Sequence, residues 1–129
     1  MKWNYACPHC GATLNPHTKV ILAARRGKRR GLILLSPQPG NYRSIIHESF
    51  PLAGGEMVEF SCPACGHALT SAAASRLAEI LLVRPGQPPR RVEFSRVYGE
   101  HATFILDGEN VVPYGDDAGV YERVNFFGC

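Results

Sequence analysis

Five cysteines stand among the 129 residues, and four of them fall in two identical spacings, Cys7-Pro8-His9-Cys10 and Cys62-Pro63-Ala64-Cys65. Two cysteines three positions apart on a tight turn can aim both sulfurs at one ion. In a cytosolic chain, paired motifs of this kind read as a metal site before a disulfide framework. Tetrahedral four-sulfur coordination suits zinc or iron. Zinc is the expected ion, one per chain, because closed four-cysteine sites are a standard structural zinc arrangement. A catalytic zinc needs an open coordination position, and four cysteines leave none. Such an ion can supply on the order of 10 kcal/mol of folding free energy. Two alternatives stand beside it. Iron would make the centre a one-electron carrier. Without metal, the pairs would be available for thiol–disulfide exchange, although neither follows a βαβ pattern. The fifth cysteine, Cys129, is the last residue, lacks the context for prenylation and is expected to be incidental.

The two motifs belong to an internal repeat. Tyr5-Ala6-Cys7-Pro8-His9-Cys10-Gly11-Ala12-Thr13-Leu14 aligns with Phe60-Ser61-Cys62-Pro63-Ala64-Cys65-Gly66-His67-Ala68-Leu69, 55 positions later (62 minus 7). Pro favours the turn by fixing φ near −65°. Gly after the second cysteine permits a positive φ, so the chain doubles back and points amide N–H groups at the thiolates. Those hydrogen bonds offset part of the charge of a four-thiolate centre. The aromatic and Leu positions pack around it. The pattern resembles the zinc knuckles of zinc-ribbon proteins and is similar to the knuckles of rubredoxins. The resemblance covers these two ten-residue segments. It implies that Cys7, Cys10, Cys62 and Cys65 are the ligands. The 51 residues between Cys10 and Cys62 exceed a plain ribbon's connecting hairpin, so an extra structural unit must sit between the knuckles.

A second candidate is the cluster Arg25-Arg26-Gly27-Lys28-Arg29-Arg30, with five cations in six residues. On a hairpin tip, Arg25, Arg26, Lys28, Arg29 and Arg30 would fan out and reach phosphates, giving salt-dependent nucleic-acid binding. No aromatic residue interleaves them for base stacking, and a solvated loop is the plainer expectation. His9 and His67 flank the cysteines and are expected beside the ion rather than on it, with His67 the nearest substitute ligand. His17, His47 and His101 show no metal-binding spacing. His101 with Glu100, Asp107 and Glu109 would be a local polar group. Asp116-Asp117 are expected to cap a helix. Trp3, Tyr5, Phe126 and Phe127 are expected to pack on each other and close the termini together. No nucleophile elbow, phosphate-binding loop or dinucleotide fingerprint occurs, so no enzyme is expected.

These residues must be positioned by short strands. Lys19–Ala24 and Gly31–Ser36 read as a β-hairpin with a long basic tip. Tyr42–Glu48 and Glu56–Ser61 read as strands, the latter running into the second knuckle. Ser71–Ala78 has helix composition, with Thr70 or Ser71 as N-cap, before a strand-like Ile80–Val83. Arg91–Val97, Ala102–Leu106 and Asn110–Val112 read as further strands, with a turn at Asp107-Gly108. The tail from Asp116 to Phe127 docks, either as a helical turn or two or as a wrapped extended segment.

The expected fold is mainly β, one domain over 1–129. A zinc-ribbon-like part with a hairpin insert spans 1–70, and a β-rich extension with a C-terminal meander spans 71–129. Net charge is +3, divided as +7 over residues 1–48, +1 over 49–99 and −5 over 100–129. This division reads first as two faces of one domain attracting each other. No apolar run suits a membrane span, and the start shows no secretory signal, so the expected address is the cytoplasm. The expected function is a small zinc-stabilised protein-interaction or accessory module, its docking patch near the meander or tail. The alternatives are a nucleic-acid binder using residues 25–30, and a rubredoxin-like or thiol redox protein.

Overall fold

A computed structural model of the chain describes residues 3–127. These residues form nine strands, β1 (Asn4–Ala6), β2 (Val20–Arg26), β3 (Arg29–Leu35), β4 (Ser44–Ile46), β5 (Glu59–Ser61), β6 (Leu77–Val83), β7 (Arg90–Ser95), β8 (Thr103–Asp107) and β9 (Asn110–Tyr114), and one 3₁₀ turn at Ala118–Tyr121. Two antiparallel sheets result, with strand orders β1-β6-β7-β8-β9 and β4-β3-β2-β5. The fold is mainly β, with the expected hairpin between the knuckles and the expected meander after them. In β2 the period of two puts Val20, Leu22 and Ala24 inside and leaves Ile21 and Ala23 half-buried on the other face.

The pairing is reciprocal. β1 leads into the first knuckle and pairs with β6, the strand after the second knuckle. β5 leads into the second knuckle and pairs with β2, the strand after the first. The registers agree residue by residue. Tyr5 opposes Leu82 as Phe60 opposes Ala24. The ladder Leu22–Ile33–Ile46 in one sheet matches Ile80–Val92–Ile105 in the other. The loops that follow also match. The amide of Asn41 donates to Gln38 O and that of Glu100 to Val97 O, both at 3.1 Å. The amides of Gln38 and Val97 donate to Ser36 Oγ and Ser95 Oγ. Gly40 and Gly99 share a φ near +87° (87 and 86). The duplication legible in two ten-residue segments thus runs from β1–β4 onto β5–β8. β9 and the tail are added to the second half alone.

One core cluster lies between the sheets and takes in Tyr5, Leu14, Leu22, Ile33, Phe60, Leu69, Ile80 and Val92. A second lies on the outer face of the five-stranded sheet, where Leu77, Phe104 and Leu106 meet Tyr121 and Phe126 of the tail. Gly31 is required in β3 because Phe50 lies against it. A Cβ there would stand 2.8 Å from the phenyl ring.

Several local expectations are corrected. Ser71–Ala78 is not a helix. Residues 71–76 are irregular, and Leu77 opens β6, whose ladders on both sides, to β1 and β7, outweigh the propensity of a short alanine run. The basic tip is not long. β2 and β3 run through the arginines to a two-residue turn, Gly27-Lys28, with Gly27 at φ +62°. The strand expected at Tyr42–Glu48 shrinks to Ser44–Ile46, because Tyr42 turns away to stack on His101. The strand expected at Glu56–Ser61 is regular only from Glu59, because residues 55–58 bond instead to Arg96 and Tyr98, beyond β7. The terminal aromatics do not pack on each other. Trp3 and Tyr5 belong to the core between the sheets, Phe126 to the outer cluster, and Phe127 is exposed. Asp117 precedes the 3₁₀ turn without a side-chain cap, since its Oδ2 accepts from the His101 amide at 2.8 Å. Cys129 lies outside the described residues.

Candidate metal centre

The knuckles repeat each other bond for bond. The amides of Gly11 and Gly66 donate to Cys7 O and Cys62 O at 2.9 Å, and those of Cys7 and Cys62 to Ala12 O and His67 O at 3.0 Å. The amides of Leu14 and Leu69 return to Tyr5 O and Phe60 O, both at 2.9 Å. Each turn closes on a glycine with positive φ, Gly11 at 75° and Gly66 at 77°, which an L side chain rarely adopts.

The result is a cluster of four sulfurs, Cys7, Cys10, Cys62 and Cys65, all within 4.8 Å of one another. Cys7 Sγ lies 3.9 Å from Cys65 Sγ, and Cys10 Sγ lies 3.7 Å from Cys62 Sγ. An ion bound at about 2.3 Å from each of four sulfurs sets tetrahedral edges of about 3.8 Å, so the donor set fits a metal. The amides of His9 and Ala64 each donate to a sulfur, Cys7 Sγ and Cys62 Sγ, at 3.3 Å. Four cysteines are therefore positioned to bind a metal ion, as in a zinc-ribbon-like site. Cys7 and Cys62 are buried, while Cys10 and Cys65 are exposed. The centre is sealed on its inner side and faces solvent on the other. An ion bound there would tie the two sheets together, since β1 carries one knuckle and β5 the other.

The thiols hold unequal acidities. Burial pushes Cys62 up, but the amides of Cys65 and Ala64 and the thiols of Cys7 and Cys10 outweigh it, leaving Cys62 at about 7. The amide of Ala12 pulls Cys10 down, but desolvation and the neighbouring thiols lift it to about 11. A site that gives up its first proton near neutrality and holds another tightly releases protons when an ion enters.

His9 and His67 stack on each other, with centroids 4.4 Å apart and an interplanar angle of 19°. Neither belongs to the ligand cluster. His101 stacks on Tyr42, Glu100 is held by Tyr121, Ser95 and Arg76, and Asp107 pairs with Arg90, so these groups do not converge on one site. In the basic hairpin, Arg25 pairs with Glu59 at 2.6 Å and Arg26 with Glu56 at 2.9 Å. Lys28, Arg29 and Arg30 have no ion pair among the described residues. Among those residues, no helix is long and apolar enough to cross a membrane.

Sequence reasoning missed a buried polar group. Glu93 is fully buried on the outer face of β7, bonded to Ser71 Oγ and 3.4 Å from Arg91. Burial, and Glu79 beside it, raise its carboxyl to about 7. Arg91 also bonds Glu79 and the carbonyl of Phe126, tying the tail to this network. The period of two in Arg91-Val92-Glu93-Phe94 showed the face but not its cover.

Comparison with protein-family models, with curated proteins and with solved structures finds no match to this chain.

Proposed function

We propose that the chain is a zinc-stapled, non-catalytic module that docks a protein partner on the outer face of its four-stranded sheet. One observation carries this. The outer face of the five-stranded sheet is covered by the chain's own tail, whereas the equivalent face of the other sheet is bare and apolar. Ile21, Ala23, Leu32, Leu34 and Ile45 line up there through the β2–β3–β4 register, and Leu32 and Ile45 are 51% and 52% exposed. Such a patch marks an interaction surface. It stands on the hairpin insert, in addition to the exposed Val112, Val120 and Phe127 around the meander and tail. A fitting partner offers an extended segment with apolar side chains and acidic groups opposite Arg30. Zinc is the proposed ion because the four donors are all thiols and leave no open position. Reduced thiols fit the cytoplasm.

Native mass spectrometry of the protein isolated gently from its source tests this. The expected result is one zinc per chain with a bound protein, and an Ile45→Asp variant that keeps the zinc and loses the protein. A lone zinc-bound chain in both samples overturns the docking reading. Iron overturns the ion and favours the rubredoxin-like alternative.

Lys28, Arg29 and Arg30, exposed and without an ion pair among the described residues, favour nucleic-acid binding as a second reading. Replacing Arg25, Arg26, Lys28, Arg29 and Arg30 with Ser is then expected to abolish salt-sensitive RNA or DNA retention. Unchanged retention sinks that reading.

A further inference from the structure

A cleft of about 250 Å³ opens between the two sheets. Its floor is made of matched positions from the two halves, Ile33 and Val92, Leu35 and Phe94, with Ile80 and Phe60 beside them. Its mouth lies between the equivalent loops 36–44 and 95–103. Protein interiors pack like organic crystals, with few voids larger than a water. A space of this size lined by aliphatic and phenyl groups is therefore a feature to be explained. An apolar cavity of about 150 Å³ already stays dry and admits benzene. The present one has room for a six-membered ring and a short substituent.

The mouth supplies the other half of the chemistry. Tyr42 and His101, equivalent residues of the two loops, stack at 4.5 Å with rings 3° from parallel and form a rigid rim. Tyr42 Oη is 2.9 Å from Thr103 Oγ1 and 3.0 Å from Tyr114 O, which fixes it. Tyr98 Oη and Ser44 Oγ face each other at 3.5 Å, beyond the usual O–H···O distance, so an acceptor oxygen between them would take both hydrogens. Arg43 lines the same mouth, is exposed, and has no carboxylate partner among the described residues. Arg96, also at the mouth, is held by the carbonyls of Val58 and Ser75. Of the acids around the mouth, Glu100 is occupied by Ser95, Tyr121 and Arg76. Asp116 and Asp117 lie on the Tyr42–His101 side, where burial and then their charges raise the Tyr42 hydroxyl, and Asp117 accepts from the His101 amide.

We propose that this cleft binds a small aryl carboxylate, with the ring between the sheets and the carboxylate against Arg43, Tyr98 and Ser44. The aromatic walls select a flat ring, and the unpaired guanidinium selects an anion.

The test uses the metal-loaded full chain, titrated with 3-phenylpropionate and followed by amide NMR. Saturable shifts are expected in loops 36–44 and 95–103 and in β3 and β7, with the amides of residues 8–12 and 63–67 in the knuckle turns unmoved. Arg43→Gln, an exposed substitution that the fold tolerates, is expected to weaken 3-phenylpropionate about tenfold and to leave 3-phenylpropanol unchanged. Ile33→Phe is expected to fill the cleft and abolish both, with retained zinc showing that the variant is folded. No saturable shift at millimolar ligand overturns the proposal. An equal response to acid and alcohol in the wild type overturns the carboxylate assignment.

Discussion

The two halves agree inside and differ outside. Facing the core, Leu22, Ile33 and Ile46 do in one sheet what Ile80, Val92 and Ile105 do in the other. On the outer faces the equivalent positions diverge. Ile21, Leu32, Leu34 and Ile45 correspond by register to Glu79, Arg91, Glu93 and Phe104. The face that carries a charged network is the one covered by the tail, and the apolar face is the one left open. The paired inner faces define the sandwich and fix the residues that meet between the sheets. The outer faces are free to take separate roles. In the second half the tail completes the fold, with every described buried side-chain polar atom satisfied. In the first half no described residue of the tail or loops covers the sheet.

The largest effect on this contrast comes from the staple common to both halves. Removing the metal is expected to cost on the order of 10 kcal/mol and to loosen the four-stranded sheet first. That sheet has only the central cluster and the knuckles to hold it, whereas the five-stranded sheet keeps the cluster around Phe104 and Tyr121. Hydrogen exchange after chelation at neutral pH should show the β2–β3 amides exchanging before those of β7–β8. The reverse order would mean that the tail adds no local stability.

The four cysteines and the glycine after each pair were legible because the hydrogen bonding of a knuckle is local, closing within ten residues from Tyr5 to Leu14 and from Phe60 to Leu69. The hairpin and meander were legible from alternation and turn residues. The larger duplication was not, because its signal is spread thin. Ser36, Gly40, Tyr42 and Ser44 match Ser95, Gly99, His101 and Thr103, but only the hydrogen-bond register makes the match decisive. β1 was missed because a three-residue strand has too little pattern. The helix expected at Ser71–Ala78 failed because local alanine content says nothing about β7, which pairs Leu77 with Ser95, or about Thr70 and Ser71, which bond the other edge of Leu77-Ala78. Pairing of Arg25 and Arg26 with Glu59 and Glu56 is a cross-strand relation that charge counting along the chain cannot see.

The covered face can be stripped. Phe126→Ala removes a ring packed 5.1 Å from Phe104 and should cost about 3–5 kcal/mol, read as a drop in thermal midpoint. The variant then presents two uncovered faces. Self-association by analytical ultracentrifugation is the expected companion result. A monomer of unchanged midpoint would show that the tail does not seal the sheet.

A smaller effect separates the faces by pH. The carboxyl of Glu93 sits at about 7 because of burial and Glu79, against about 4.3 for an unfolded chain. The native state therefore keeps a proton that the unfolded state releases, and stability falls as pH rises from roughly 4.5 to 7, then levels off. Glu93→Gln keeps an amide at the same place and loses this dependence. The variant's midpoint, measured with metal bound, should gain on the wild type from pH 6 to pH 8, by on the order of 1–2 kcal/mol. A parallel pair of curves would place the ionised carboxylate in a full ion pair with Arg91. No equivalent effect is open to Leu34, which occupies the matching position in the bare sheet.

The smallest stability effect should accompany the largest functional one. Leu32 and Ile45 are half exposed, so replacing both with Thr removes little buried area and leaves a β-branched residue suited to a strand at each position. The expected change in stability is within about 0.5 kcal/mol. If the bare face docks a protein, the same double variant loses its partner while its metal content and thermal midpoint stay put. A face that only completes the fold behaves the other way, as Phe126 should on the opposite sheet. There, truncation costs stability because the covering group belongs to the same chain. A large loss of midpoint in the Leu32→Thr, Ile45→Thr variant would therefore make the two faces alike and remove the physical ground for an external partner.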